Sequence, residues 1–507
     1  MPRRSARSSC RSCPEPLPGP SGGAVGPGGD PAGTGQAALI ACWRLAGSRP
    51  SPVQSFGSRM SSTDLQNSTA TGSARPEDER VGIGRAILYG AQHILAMYGG
   101  VVAVPLVVGS AARLDAAELG MLVAAALFVS GLATLLQSLG LPHLGSQLPL
   151  VNGTTIGAAS TMLAIIAAHQ GDPHQAMRVI FGSVIIAGAV GLVLAGLFAR
   201  IRRFFPPVVT GTIITAMGVS LLPVAAGWSM GPDPKAPDHG SLTNLGIALF
   251  ALVVVLICSR IRALSQVAVL VGIVVGTLFA WLLGRADFSQ VSKGSVIALP
   301  HPFYFGAPVF EIGAILSMTI VMIVTLMEVM ADLFAVGDTI GTTIDDKRVA
   351  DGLRADMLAA TVAPVFNSFP PTAFAQNVGL VAVTGIRSRF TVAAGAGLLI
   401  LLGLFPWLGR LVAAIPSPVL GGVGVVLFGT VAAAGIKILT KADFENPNNL
   451  IIVAVALAMV LFPIGAPTIY AQLPSWISMI LGSGISSAAL AAVVLNLVLN
   501  GRKGVAR

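Results

Sequence analysis

From Ala86 to Leu499 the chain alternates long apolar runs with short polar or Gly/Pro-bearing breaks. Runs of this length match the ~20 residues a helix needs to cross a bilayer. The pattern predicts fourteen segments, near 86–108, 117–139, 147–168, 176–198, 204–224, 242–259, 263–284, 312–337, 355–368, 370–384, 390–408, 411–436, 449–465 and 475–499. The third, ninth and tenth are too short or too broken for simple spanning helices. The third opens Gln147-Leu148-Pro149-Leu150-Val151-Asn152-Gly153-Thr154-Thr155-Ile156-Gly157. The tenth carries Pro370-Pro371-Thr372-Ala373-Phe374-Ala375-Gln376-Asn377-Val378-Gly379. Irregular backbone at membrane depth is tolerated only where it lines a cavity or is covered by protein.

An internal match strengthens the pattern. Pro207-Val208-Val209-Thr210-Gly211 and Gly218 correspond to Pro418-Val419-Leu420-Gly421-Gly422 and Gly429 at an offset of 211. The first block opens the fifth segment and the second the twelfth. Seven segments per repeat is an odd number, so the two halves are expected to be inverted, as in secondary transporters with a midplane site. Close packing through small residues accounts for the same block without a repeat.

Composition agrees with the pattern: 54% of the 507 residues are apolar and only 10% charged, with mean hydropathy +0.80. The net charge of +9 suggests nucleic acid until its distribution is considered. With a cytoplasmic N-terminus, only Arg113, Arg178, Lys235, Arg285, Lys293 and Arg410 of the basic residues beyond Arg59 fall on outward flanks. The other eighteen face inward, the positive-inside pattern, which predicts both termini on the cytoplasmic side of a membrane and argues against a nucleic-acid partner. Residues 1–82 are rich in Gly, Pro, Ser and Arg and read as a disordered tail. Met60-Ser61-Ser62-Thr63-Asp64 resembles a short leader, so residues 1–59 read as a mis-called extension. Cys10 and Cys13 have zinc-like spacing but no second ligand pair nearby, and no metal site or disulfide framework is expected.

Candidate chemistry stands out against the apolar background. Glu328 and Asp332 lie one helical turn apart on one face within the run Ile312–Val336. A carboxylate at membrane depth costs at least a few kcal/mol and is functional by default; the alternative is a structural carboxylate capping or pairing with a neighbour. Two like charges there repel, and a carboxyl able to take up a proton is what a proton-coupled carrier requires. Asp356 opens the ninth segment as a helix cap, a partner of Arg354, or part of a coupling network. Gln376 and Asn377 together offer donors and acceptors suited to the mixed edge of a flat heterocycle. Either polar segment alone also serves as interhelical glue. His93, in Gln92-His93, is a lone intramembrane histidine, a class more often structural than ligating. No phosphate loop, nucleophile elbow or metal cluster appears, so an enzyme is not expected.

Gln376-Asn377-x-Gly379-x-x-x-x-Thr384-Gly385 resembles the signature of the nucleobase–ascorbate transporter (nucleobase:cation symporter-2) family. The context through Arg389, the Gln92-His93…Met97…Pro105-Leu106…Gly109 block and Met327-Glu328…Asp332 are similar too, covering about residues 83–500. The resemblance implies seven plus seven inverted segments, with short strands and half-helices in the third and tenth. A core (83–200 and 301–409) would move against a gate (201–300 and 410–500) in elevator fashion, within a homodimer, ahead of a cytoplasmic tail at 501–507. Glu328 would hydrogen-bond the base and Gln376 would contact it. Asn377 would support them, with backbone around Thr154, Thr155 and Ala375 completing the substrate site. Asp332, Asp356 and His93 would couple protons or organise the site, without a cofactor and with sodium as the other possible coupling ion.

Gln at the start of the signature accompanies many oxidised-purine carriers, Glu the uracil carriers and Pro the vertebrate ascorbate carriers. Gln376, with Asp332 one turn after Glu328, therefore implies proton-coupled uptake of xanthine or uric acid. Ala331 departs from the Gly of many members and is expected to narrow packing or pocket; Tyr98 and Thr155 are candidates for tuning it. A uracil or broader nucleobase carrier, an inorganic-anion carrier of similar fold and a non-transporting scaffold are the alternatives.

Overall fold

The computed structural model describes residues 75–197, 205–231, 236–261, 264–289, 291, 297–466 and 468–501. The side chains of Gln266, Ala375, Gln376 and Val383 lie outside that description. The expected tail thus falls mostly outside the described residues, as do Arg200, Lys235 and Lys293. The stretch just before the first helix does not: Pro76–Asp78 form a 3-10 turn with Glu77 buried against Arg348.

Sixteen α-helices occur among the described residues: α1 (Ile83–Ala111), α2 (Ala116–Leu139), α3 (Ala159–Ala168), α4 (Pro173–Ala195), α5 (Pro207–Met230), α6 (Leu242–Arg260), α7 (Ala268–Leu282) and α8 (Ile312–Ile340). Then follow α9 (Asp346–Val362), α10 (Ala375–Thr384), α11 (Arg389–Gly403), α12 (Pro406–Ala413), α13 (Ser417–Leu439), α14 (Pro447–Gly465), α15 (Ser475–Gly482) and α16 (Gly484–Asn500). Two three-residue strands, β1 (Asn152–Thr154) and β2 (Pro371–Ala373), precede the ten-residue helices α3 and α10. Eight helices are long and apolar enough to cross a membrane, or ten if the bent pairs α11–α12 and α15–α16 each count as one span.

The breaks follow local chemistry. Phe405-Pro406 and Pro416 interrupt the segments expected at 390–408 and 411–436, leaving α12 as a separate short helix bent 79° from α11. Gly482-Ser483-Gly484 splits the last segment at an 87° bend. The ninth helix starts at Asp346 rather than near 355, because the Asp345 side chain caps it by accepting from the Arg348 N–H at 2.8 Å.

Packing divides the helices. One set pairs α2 with α1, α11 and α12, and α4 with α8 and α9. Another pairs α5 with α13, α14 and α16, and α6 with α7 and α13. The α5–α13 contact is built on small residues: a Cβ on Gly218 would stand 2.7 Å from the Ala432 Cα. The contact is also reciprocal. Gly211 meets Gly435 and Leu439, while Gly421 meets Ala225 and Ser229. These positions correspond at an offset of 210, as do helix starts Pro207 and Ser417, one residue less than the sequence block suggests. Apolar side chains on α6, α7 and α14, among them Leu249, Leu256, Leu278, Trp281, Leu450 and Val455, remain exposed. Outward apolar faces of this kind suit contact with lipid rather than water.

Candidate functional site

The two broken segments meet. β1 and β2 pair antiparallel, with Asn152 opposite Ala373, Gly153 opposite Thr372 and Thr154 opposite Pro371. Flanking bonds extend the ladder: Thr155 N–H donates to Pro370 O at 2.9 Å and Phe374 N–H to Val151 O at 3.0 Å. Antiparallel pairing sends α3 and α10 away in opposite directions, so their N-termini flank the strand pair. No side chain caps the first turn of α10; the Asn377 N–H bonds Phe374 O at 3.0 Å, so the capacity of this helix start to meet a ligand oxygen rests on the two N–H groups before it.

Asp356 ties the pair together. Its carboxylate accepts from Asn152 Nδ2 on β1 and from the Ala373 backbone N–H on β2. Asp332 is buried close enough to both Glu328 and Asp356 for their charges to interact. Asp356 is therefore neither a helix cap nor a partner of Arg354, which instead binds Asp351 at 2.7 Å.

Asn377 is equally engaged. Its Oδ1 bonds the buried His93 Nδ1, and its Nδ2 donates to Pro149 O at 2.6 Å. These bonds lock α10 to α1 and to the lead-in of β1, so Asn377 positions the site. Thr154 donates to Val101 O at 2.7 Å, and Thr155 accepts from Gly157 N–H at 3.2 Å. Both are structural ties of the β1 segment in this conformation.

A cavity of about 450 Å³ opens beside the strand pair, within the range of small-molecule sites. Met97 and Gly100 of α1, Thr372, Ala373 and Phe374, and Glu328 of α8 form one wall; Met217, Val255, Ser259, Thr430 and neighbouring residues of α5, α6, α7 and α13 form the other. Glu328 is half-buried, and its Oε2 lacks a hydrogen-bond partner among the described residues. Among the described residues it is the one carboxylate lining this cavity.

Of the residues singled out from sequence, Glu328 reaches the cavity directly, while Asp332, Asp356, His93, Asn377, Thr154 and Thr155 form the frame behind it. The side chains of Gln376 and Ala375 lie outside the described residues, although α10 carries both at its first turn. Two tuning expectations change. Ala331 is exposed and is not among the residues lining the cavity; Met97 and Gly100, not Tyr98, line it from α1. Sequence reasoning missed Phe374, Thr372, Ser259 and Thr430, whose only signal was proximity to the broken segments or small polar character in apolar runs.

The Permease family model Xan_ur_permease matches residues 84–469. The chain belongs to this permease family. A xanthine permease of Bacillus subtilis (strain 168) is 39% identical over 83% of this chain and 95% of its own length. The uric acid transporter UacT of Escherichia coli (strain K12) is 39% identical over 87% of this chain and 92% of its length. The fold is shared with the transmembrane domain of the cyanobacterial bicarbonate transporter BicA, at 16% identity, a TM-score of 0.56, and coverage of 80% of this chain and 99% of that one. Murine Slc26a9, an anion transporter solved in the inward-facing state, gives a TM-score of 0.57 at 12% identity, over 94% of this chain and 77% of that one. Family and helices together make this permease a multi-pass membrane protein.

Proposed function

We propose that this permease imports oxidised purines, xanthine or uric acid, across the plasma membrane by proton symport. The observation that carries the reading is Glu328: a carboxylate with an oxygen that has no partner among the described residues, in an otherwise mostly apolar cavity. Its oxygens accept N–H donors of the heterocycle, the α10 N–H groups and Gln376 meet the ring's oxygens, and Phe374 offers an aromatic surface. The named relatives, a xanthine permease and a uric acid transporter, support this substrate class over uracil. The likeness to bicarbonate and anion carriers concerns the fold alone, and a carboxylate in the cavity suits a cargo that offers it N–H donors rather than an inorganic anion that offers none.

In the cycle we infer, the Glu328–Asp332 pair takes up a proton outside, purine binds, and both are released inside. The fourteen segments form a 7+7 inverted repeat, for which the reciprocal α5–α13 contacts and the twin strand–half-helix units are the support. A core of α1–α4 and α8–α11 slides against a gate of α5–α7 and α13–α16, and the cavity draws its walls from both sets. A homodimer and inward-facing termini complete the proposal. Uptake of labelled xanthine and uric acid by cells lacking their own purine permeases tests it. Saturable uptake that uracil does not compete is expected. No purine accumulation despite confirmed membrane expression would reject it.

A further inference from the structure

Phe374 directly follows β2 and lines the cavity beside Met97 and Glu328. Its seat is made by two glycines from different elements. The register puts Gly153 opposite Thr372, and Phe374 N–H bonds Val151 O. Val151, Gly153, Thr372 and Phe374 thus share one face of the strand pair, with Phe374 diagonal to Gly153. A Cβ on Gly153 would overlap the Phe374 Cε2 outright and stand 2.9 Å from Cδ2 and 2.7 Å from Val101 Cγ2. On the ring's other edge, a Cβ on Gly100 would lie 3.1 Å from Cε1 and 3.2 Å from Cζ. The ring is therefore laid across a bare strand position and held on its far side by a bare helix position. Aromatic cover of a strand glycine is a recognised packing device. Ile94, Met97, Val101 and Val151 belong to the same packed cluster as the ring, so the cavity is the open side toward which a displaced ring would move.

We propose that Gly153 and Gly100 are specificity-determining positioning residues. They fix the Phe374 ring at the cavity wall and so set the clearance left for a flat, rigid heterocycle. The inference deepens the purine reading and rests on it. A planar ligand cannot adapt to a ring pushed into its space, and one methylene in an apolar pocket changes discrimination by about 10–200-fold. The two glycines differ in degree: Gly153 tolerates no methyl without moving the ring, while Gly100 asks for a shift of a few tenths of an ångström.

The test is labelled-xanthine uptake by the full chain in a purine-permease-deficient host, with membrane amounts matched. Gly153→Ala is expected to raise the KM by at least about 10-fold with little change in Vmax per copy, and Gly100→Ala to raise it less. Combining Gly153→Ala with Phe374→Leu removes the contact with the ring and leaves only that with Val101, so the KM of the double variant is expected to lie close to that of Phe374→Leu alone. An unchanged KM in Gly153→Ala, or a double variant in which both losses multiply, overturns the proposal. If Gly153→Ala does not reach the membrane, Gly100→Ala with and without Phe374→Leu decides in the same way. Wild-type protein that takes up neither xanthine nor uric acid overturns the purine reading first and this inference with it.

Discussion

At the scale of the residue, one carboxylate faces the cavity and two stand behind it. Glu328 has an oxygen without a partner among the described residues, whereas Asp356 holds β1 and β2 together through Asn152 and the Ala373 N–H. The two positions should fail differently. A hydrogen bond to a charged group contributes about 1.5–3 kcal/mol, so Glu328→Gln is expected to lower purine affinity at least ~10-fold and to abolish proton-driven accumulation. The thermal midpoint of the purified protein should stay near that of the wild type. Asp356→Ala should instead leave two buried donors unmet and destabilise the fold by about 1–3 kcal/mol for each. Thermal unfolding in detergent separates the cases: equal midpoints for both variants would remove the distinction between ligand group and frame.

At the scale of the element, legibility followed contrast. Glu328, Asp332 and Gln376-Asn377 were visible because polar groups in apolar runs are costly and stand out. Gly100, Gly153 and Phe374 were not, since small or apolar residues in apolar runs carry no contrast and acquire meaning only when β1 meets β2. The bend at Ser483 was likewise hidden inside a continuous apolar segment. That bend carries a network of hydroxyls. Ser483 Oγ bonds Thr161 Oγ1 of α3 at 2.6 Å and Ser486 Oγ at 3.1 Å, and Ser486 Oγ bonds Ser317 Oγ of α8 at 2.8 Å. In the proposed cycle α3 and α8 belong to the moving core and α15–α16 to the gate, so these bonds join parts that must separate. Thr161→Val and Ser483→Ala are each expected to change the maximal uptake rate, and the pair together by less than the product of the two. Strictly multiplicative effects in uptake kinetics would show that the hydroxyls act independently.

At the scale of the whole molecule, charge and span count meet. Asp78 with Arg389 and Glu77 with Arg348 gather at the end of α1 that also carries Lys347, Arg354 and Arg387. The opposite end presents the pairs His174–Glu118 and His169–Glu311. The excess of cations at the first end supports placing it in the cytoplasm. Exposed Gln170 and exposed Lys347 are separated in sequence by α4, α5, α6, α7 and α8, an odd number of helices. They must lie on opposite sides if all five cross. The shortest member is α7, whose 15 residues span only about 22 Å of a hydrocarbon core near 30 Å; crossing then requires the bilayer to thin or flanking residues to reach across. In a background with Cys10, Cys13 and Cys42 replaced and Cys258 buried, Lys347→Cys is expected to react with an impermeant maleimide only from the cytoplasmic side. Gln170→Cys should react only from outside. Exchange of the two sides would invert the orientation while keeping the span count, and labelling of both from one side would mean that α7 does not cross.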